Sequence, residues 1–483
     1  MRPTVSIFLD FNLPNATTWF YFSFLLAISL FFKFGRVLSM RNWDVITVFL
    51  LVPGLMVIQA ARPSPVVTTP RHAVLQVARS IGQGASGALP AGPVAVSSVA
   101  ELATTRDPAL VMPMHSLWLG YLWLMIGSAY LFCRCLYDLA LVQRPALAPN
   151  LSFGGLAFLA AAMMSCLIAV AFRPAEREPF AVAKVNEVKM PAKPVGPETA
   201  TMALAREWIE PGWWLNRGSA VTCHLAVVLG LLLIGRRHFH DATAGMAAAT
   251  FYLLLPYTGM YVGQVHHILP MAMVVWALVV HPWPLLSGFL LGLATGAAYF
   301  PVLLMPIWFG FYWRRGVGRF LFAFLVAVSA TMATIGFVLW MDGSLEASLR
   351  AVRLDAAWQP WKVPHSEGFW TGIHAAYRIP VFVGFVIFVI ATAVWPWPKN
   401  LAQLLALSTA SIVGIQFWYA DQGGVYVLWY LPLLVLLVFR PNLAERRPPA
   451  INPETDWYGR FRRAVGGLIA RGPRVPEPVS PQQ

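Results

Sequence analysis

The chain has 483 residues, of which 58% are hydrophobic and 12% are charged, and its formal net charge is +14. A soluble globular protein carries about 25% charged residues, so this composition excludes an ordinary soluble fold and predicts a polytopic membrane protein. In such a protein the positive charge is explained by cytoplasmic loops that orient the helices and contact anionic lipid. We therefore expect membrane lipid, and no nucleic acid, as a partner.

The cysteines predict neither a disulfide framework nor a zinc site. Cys133, Cys135, Cys166 and Cys223 all lie within or beside apolar segments. The close pair Cys133 and Cys135 has no further Cys or His at zinc-ligand spacing, so we expect no zinc site there. The N-terminus has no small-residue cleavage pattern after a short apolar core, so we expect no removed signal peptide.

The first two predicted spans cover residues 19–32 and 45–60. Their connection carries three basic residues and one acid, and the positive-inside rule therefore places it in the cytoplasm and the N-terminus outside. Residues 61–114 follow as a long external loop rich in Pro, Ala, Gly and Ser.

The third and fourth predicted spans cover residues 117–142 and 153–172. Arg134 and Asp138 stand four residues apart near the end of the third span, and we interpret them as a self-neutralising pair at the interface. A functional charge pair is the alternative. With a second external loop at 173–217, these spans complete the first predicted domain, an N-terminal four-helix membrane region at residues 1–216.

The second predicted domain is a membrane core at residues 217–441. Its apolar piece 285–313 is too long for one span and is interrupted by Pro301. A single crossing would place the basic cluster that starts at Arg314 outside, so we predict a hairpin of two short helices with its tip near Tyr299–Pro301.

Before the hairpin, the fifth span is predicted at residues 220–234, the sixth leads to the external connection YTGMYVGQVHH, and the seventh leads from there back to HPWP. After the hairpin, spans are predicted at residues 320–341, 379–395, 401–418 and 425–439, with an aromatic external loop at 342–374. Residues 442–483 are rich in Arg and Pro and have no apolar run, which predicts a disordered basic cytoplasmic tail. The predicted fold is an all-α polytopic bundle of about thirteen transmembrane or half-membrane helices, with the N-terminus outside and the C-terminus in the cytoplasm.

Two stretches resemble a known family. The middle of the chain holds a span ending in GRRHF, then AAATFYLLLPYTGMYVGQ and the Gly-rich SGFLLGLATGAAYFPVLLMPIW, and the last span reads YVLWYLPLLVLLVFRP. Residues 219–315 and 424–441 resemble in this way the GT-C superfamily of integral-membrane glycosyltransferases, especially polyprenyl-phosphate-mannose-dependent mannosyltransferases. The resemblance implies a GT-C-like bundle in a bacterial inner membrane. It also implies transfer of a hexose, such as mannose, from a polyprenyl-phosphate donor to an acceptor at the extracytoplasmic face.

The chain departs from the family pattern at three places. No Asp-x-Asp pair, the acidic motif of many such enzymes, occurs in it. The hairpin position where relatives often hold a Lys is Tyr299 or a neighbour. The family's Gly-Gln-x-Asn becomes Gly263-Gln264-Val265-His266.

The reaction implied by the resemblance requires a carboxylate that accepts the proton of the attacking hydroxyl. The main candidates for this catalytic base are Glu210, Asp107 and Asp355. The alternative for each is an ordinary solvated loop carboxylate. Other external acids that we considered are Glu101, Glu176, Glu178, Glu207 and Glu367.

The departing phosphate requires cationic or hydrogen-bonding groups, and the sugar requires a stacking surface. The candidate substrate-binding residues are Gln264, His266, His267, Arg350, Arg353, Trp358 and Trp361, with Arg378 and Trp370 as further candidates. Histidines and tryptophans at helix ends also occur at membrane interfaces without binding a ligand.

Three functions remain open from the sequence. The leading hypothesis is the glycosyltransferase, with the lipid-linked sugar as donor substrate and no other cofactor expected, while a requirement for a divalent metal is left open. The alternative is a non-catalytic scaffold or lipid-binding protein of the same fold, which the missing paired acids favour. The third is a transporter. The oligomeric state is left open.

Overall fold

The computed structural model describes residues 16–61, 108–141, 147–172, 199, 202, 213–260, 262–341, 358–362, 367–443 and 446–448. Every regular element in these ranges is a helix, which confirms the all-α class. In the described ranges, seven helical stretches are long and apolar enough to cross a membrane, one of which, Met40–Ala61, consists of two consecutive helices. Further apolar helices are 10–17 residues long. The chain is therefore a membrane protein, whereas a total of about thirteen spans remains a prediction.

The α-helices are numbered in chain order. They are α1 (Ala16–Phe31), α2 (Met40–Thr47), α3 (Val52–Ala61), α4 (Pro108–Tyr137), α5 (Phe153–Ala171), α6 (Trp213–Ile234), α7 (Ala242–Leu254), α8 (Pro256–Met260), α9 (Val265–Val279), α10 (Pro284–Ala297), α11 (Met305–Tyr312), α12 (Val317–Met341), α13 (Arg378–Val394), α14 (Leu401–Trp418) and α15 (Leu431–Phe439).

The connections between helices lie at two opposite ends of the bundle. One end, which we name the basic end, includes the α1–α2, α6–α7 and α13–α14 connections and the residues after α15. The other, which we name the aromatic end, includes the α8–α9 and α14–α15 connections. The described Lys and Arg side chains of the basic end are Lys33, Arg36, Arg41, Arg134, Arg236, Arg237, Arg314, Arg315, Arg319, Lys399, Arg440, Arg446 and Arg447, whereas those of the aromatic end are Arg217, Lys362 and Arg378.

The predicted hairpin at residues 285–313 is confirmed. The hydroxyl of Tyr312, at the end of α11, donates a hydrogen bond to the carbonyl of His281 just before α10, at 2.8 Å. Between α10 and α11 the backbone is extended at Ala298 and then forms a short 3-10 helix, Phe300–Leu304. Pro301 has no N–H for a helix ladder, which explains why the apolar run breaks at this point.

Helices α10 and α12 run parallel and in close contact because the hairpin returns the chain to the basic end. A Cβ on Gly288 would meet the backbone of Phe320, and one on Gly296 would meet Thr331. Glycines four residues apart lie on one helix face and permit two backbones to approach, as in small-xxx-small packing of membrane helices.

The second predicted span is interrupted between α2 and α3. Pro53, in the first turn of α3, cannot donate to a carbonyl one turn earlier, so the ladder breaks there. The carbonyls near the break are satisfied by other helices: Tyr257 donates to Val48 at 2.7 Å, and the indole of Trp123 donates to Leu50 at 2.7 Å. Partners of this kind are required of irregular backbone inside a membrane protein.

Two predicted boundaries are wrong. Helix α4 begins at Pro108, inside the segment predicted as external loop 61–114, and proline suits the first position of a helix. Helix α15 begins at Leu431 instead of 425. Gly424 has a φ of 93° and Val427–Trp429 form a 3-10 helix, so the chain turns before the last helix starts.

The interpretation of Arg134 and Asp138 as a self-neutralising interfacial pair is incomplete. Both side chains are buried and lie 3.3 Å apart. Arg134 also binds both carboxylate oxygens of Asp44, at 2.6 and 2.9 Å. Asp138 in turn accepts hydrogen bonds from Arg440, one of them from Nε at 2.8 Å. The four residues form a buried charge network that joins α2, α4 and the end of α15.

The ordered chain continues past residue 441 along the basic end. Leu443 is buried, and the carbonyl of Arg446 accepts a hydrogen bond from the N–H of Leu401 at 2.7 Å. Arg315 donates to the carbonyl of Pro448. The rest of the predicted tail lies outside the described residues, as does most of the predicted external loops 61–114 and 173–217.

Candidate functional site

Broken helices meet at the aromatic end of the bundle. Helix α7 stops at Leu254 and α8 starts at Pro256, because the residue before a proline favours extended backbone, which Leu255 adopts. The chain turns again before α9, and the tip of the α10–α11 hairpin lies at the same end. Non-helical backbone at membrane depth is tolerated mainly where it is buried in protein or lines a cavity.

Aromatic rings from five separate segments pack together there. We name this group the aromatic cluster. It consists of His267, Tyr299, Phe300, Trp358, Trp418, Tyr419, Tyr426 and Trp429.

One row of contacts connects the start of α9 to the segment at residue 358. The ring of His267 stacks on Tyr426 with centroids 5.5 Å apart, and Tyr426 lies 5.6 Å from Tyr419. Tyr419 in turn lies 4.8 Å from Trp358. The predicted residues His267 and Trp358 therefore belong to one cluster, although neither touches the other in this row.

A second row connects the hairpin tip to the same rings. Phe300 stacks on Trp429 at 4.5 Å, and Trp429 stacks on Tyr426 at 4.3 Å. Tyr299 meets Trp358 edge-on at 5.7 Å. The two rows share Tyr426 and Trp358, so the hairpin tip and the 419–429 segment hold the cluster in one arrangement.

Several buried donors in the cluster or on the adjoining end of α14 have no hydrogen-bond partner among the described residues. They are the indole N–H groups of Trp358, Trp418 and Trp429 and the amide Nε2 of Gln416. The amide oxygen of Gln416 accepts from the N–H of Gly424 at 2.8 Å, which fixes the direction of the amide. A buried donor without a partner carries a desolvation penalty of about 1–3 kcal/mol, so four such donors in one region indicate a place for hydrogen-bonding ligand or water.

Charged groups flank the cluster. Arg378 is buried and donates to the carbonyl of Gln359. Asp421 is half-buried, and its carboxylate lies 3.5 Å from the hydroxyl of Tyr426. Glu367 is exposed, and its carbonyl accepts from the N–H of Gln422 at 2.8 Å. The surroundings of the cluster therefore include one buried cation and two carboxylates.

The predicted binding residues at the start of α9 lie at the aromatic end. Gln264 and His266 are half-buried, and His267 is buried within the cluster. Trp358 is also buried in the cluster, whereas Trp361 is 64% exposed and lies outside it. The remaining predicted site residues lie outside the described part of the chain. These are Glu210, Asp107, Asp355, Arg350 and Arg353.

The residues that the sequence analysis missed come mainly from the end of α14 and the turn after it. Gln416, Tyr419, Asp421 and Tyr426 were not among the candidates. A signal was present, since the stretch WYADQGGVY places polar residues and two glycines between two apolar spans. Gly424 takes the positive φ that this turn requires.

No metal site is apparent in the described ranges. They contain no group of three or more His, Cys, Asp or Glu side chains arranged to hold a metal ion.

No family model, curated protein or solved structure matches this chain. The resemblance of residues 219–315 and 424–441 to GT-C enzymes therefore stays a prediction.

Proposed function

We propose that the protein is an integral-membrane glycosyltransferase with a GT-C-like bundle of about thirteen helices. It moves a hexose, such as mannose, from a polyprenyl-phosphate donor to an acceptor. The reaction takes place at the aromatic end, which by the positive-inside rule faces outward from a bacterial inner membrane, with the N-terminus outside and the C-terminus in the cytoplasm.

The observation that carries this proposal is the aromatic cluster with its buried donors. Aromatic faces provide a stacking surface for the apolar face of a sugar ring, and fixed N–H groups donate to its hydroxyls. The cluster stands where broken helices end, which is where membrane proteins place substrate sites. The indole groups of Trp358 and Trp429 and the amide of Gln416 are the proposed sugar-binding groups.

The chemistry requires a base and a phosphate-binding group. The base accepts the proton of the acceptor hydroxyl, whose oxygen attacks the anomeric carbon while the bond from that carbon to the phosphate oxygen breaks. Cationic groups then stabilise the departing phosphate. Glu210, Asp107 and Asp355 remain candidate bases, and Asp421 joins them because of its place beside Tyr426. Candidate phosphate-binding residues are His266, Arg350, Arg353 and Arg378.

The decisive experiment supplies purified protein in lipid nanodiscs with a panel of polyprenyl-phosphate sugars. Release of polyprenyl phosphate is followed by mass spectrometry, with and without cell-derived acceptors. We expect release with at least one donor, and a loss of about 100-fold or more when the base is changed to its amide. The variants are Glu210→Gln, Asp107→Asn, Asp355→Asn, Glu367→Gln and Asp421→Asn. Unchanged transfer in all five variants would exclude these residues as the base, and absence of release with every donor would contradict the proposal.

A matched pair of tryptophan variants tests the cluster itself. Trp358→Ala removes a stacking ring and a donor, and we expect about tenfold weaker use of the donor sugar. Trp395→Ala is the control, because it is the same substitution and Trp395 is 70% exposed at the other end of the bundle. Equal effects of the two variants would show that the aromatic cluster has no specific part in the activity.

The second candidate function is a non-catalytic lipid-binding relative of the same fold. The absence of Asp-x-Asp from the sequence favours it. Saturable binding of a polyprenyl-phosphate sugar without release of polyprenyl phosphate would support this candidate over the enzyme.

A further inference from the structure

A groove at the basic end of the bundle combines two cationic side chains with aromatic walls. It has a volume of about 490 Å³. Its lining residues are Phe32, Lys33, Phe34, Gly35, Arg36 and Asn150.

The loop that forms one wall is fixed by a buried asparagine. Asn42 is fully buried, and its side-chain oxygen accepts from the N–H of Lys33 at 2.9 Å. Its amide nitrogen donates to the carbonyls of Lys33 and Arg36, both at 3.0 Å. The backbone that carries the two cations is therefore held in place before any ligand binds.

Asn150 forms the facing wall. Its backbone N–H donates to the carbonyl of Leu30 at 2.8 Å, and its side-chain amide donates to Ser29 at 2.8 Å. Its side-chain oxygen accepts from the ammonium group of Lys33 at 2.7 Å. An ammonium group has three N–H donors, so Lys33 keeps donors for a ligand while Asn150 sets its position.

The second cation is available for an anion. Arg36 is exposed, and its guanidinium makes no hydrogen bond or ion pair with the described residues. The nearby acids do not neutralise it, since Asp44 is bound by Arg134 and Asp138 by Arg134 and Arg440. No carboxylate is among the residues that line the groove.

Exposed apolar side chains adjoin the groove. Phe34, Val37 and Leu38 are 69%, 56% and 83% exposed. Large apolar side chains next to basic ones at the ends of apolar helices are typical of the bilayer interface, where they enter the headgroup and acyl boundary.

We propose that this groove binds the phosphate headgroup of an anionic phospholipid in the leaflet at the basic end. Lys33 and Arg36 donate to the phosphate oxygens, while Phe34 and Leu38 contact the acyl chains. A free anion would use the two cations but not the apolar side chains, so the combination points to a lipid. This site lies at the opposite end from the aromatic cluster and does not depend on the proposed function.

The test measures lipid binding by native mass spectrometry of the full-length protein released from detergent. Phosphatidylglycerol and phosphatidylcholine are added in parallel. We expect the wild-type protein to prefer phosphatidylglycerol. The double variant Lys33→Gln and Arg36→Gln should lose about 5-fold in that preference for each charge removed.

The matched control removes the same charge elsewhere at the basic end. Arg236 and Arg237 are exposed and do not line the groove, so Arg236→Gln with Arg237→Gln should keep the preference within about twofold. The single variant Arg36→Gln changes an exposed side chain with no described partner, so its folding should be unaffected. It should still lose about 5-fold.

Three results would overturn the proposal. In the first, the groove variants keep the wild-type preference. In the second, the control loses as much as the groove variants, which would indicate general attraction to the charged end. In the third, inorganic phosphate displaces phosphatidylglycerol from the wild-type protein at comparable concentration, which would identify a free-anion site instead.

Discussion

Single residues with distant partners decide the electrostatics of this protein. Asp138 is the clearest case, because it lies between Arg134, four residues earlier in the chain, and Arg440, near the C-terminal end of the described chain. Both partners are buried, and so is Asp44, which forms a second salt bridge with Arg134. A buried ion pair contributes little net stability, but removal of one partner leaves an unpaired charge and is strongly destabilising.

We therefore predict that Asp138→Asn lowers the free energy of unfolding by about 3–5 kcal/mol, since it leaves Arg440 without its carboxylate. Thermal unfolding of the purified protein in nanodiscs would show a lower Tm. Arg236→Gln is the control, because it also removes one charge and Arg236 is exposed at the basic end. Equal Tm values for Asp138→Asn and the wild-type protein would show that the network is not a stabilising contact.

At the scale of single helices, packing around the hairpin depends on how closely the backbones of α10 and α12 approach each other. The parallel helices α10 and α12 touch along Gly288, Gly292 and Gly296, and a Cβ on Gly292 would meet Ala327 and the backbone of Phe324. The facing atoms include backbone, which cannot rotate away. In a membrane such contacts must provide the packing attraction, because lipid chains are as apolar as the helices.

A substitution in this stripe should separate the two helices. We predict that Gly292→Val destabilises the protein by about 1–3 kcal/mol, as overpacking does in other tightly packed cores. The control is Gly384→Ala on α13, where a Cβ would meet no other atom within 4 Å. There the removal of a flexible glycine should be neutral or stabilising by about 0.5–1 kcal/mol. A Tm for Gly292→Val equal to that of the control would argue against close packing of α10 and α12.

At the scale of the whole molecule, the distribution of charge between the two ends is the main feature. The basic end holds most of the described Lys and Arg side chains, while the aromatic end holds Arg217, Lys362 and Arg378. Because cytoplasmic loops carry the excess of Lys and Arg, this asymmetry predicts that the basic end faces the cytoplasm.

Site-directed labelling in intact cells can test this orientation. Both target residues, Lys362 at the aromatic end and Arg237 at the basic end, are exposed. In a protein whose four native cysteines are replaced, we expect a membrane-impermeant maleimide to label the variant Lys362→Cys. The variant Arg237→Cys should react only after permeabilisation. The reverse labelling pattern would place the aromatic end in the cytoplasm and would remove the proposed extracytoplasmic site.

Much of this protein was predictable from local sequence. The composition is enough to predict a membrane protein, since 12% charged residues is well below the content of a soluble globular protein. The interruption at Pro301 and the basic cluster after it predicted the hairpin, because proline breaks a helix ladder and positive charge sets topology. His267 and Trp358 were named as candidates because the reaction implied by the resemblance requires phosphate-binding and sugar-stacking groups, and their role stays a prediction.

The tertiary structure decided which distant residues lie in contact. In the sequence, nothing distinguishes Tyr419, Tyr426 and Trp429 from other aromatic residues near the end of a span. Only the fold brings them into one cluster with the rings of His267 and Trp358. Asp138 likewise shows one partner at helical spacing, whereas its partner Arg440 is 302 residues away. Periodicity and residue type indicate whether one segment is helical and which of its faces is apolar. They do not indicate which segments come into contact, because those contacts depend on how the whole bundle packs.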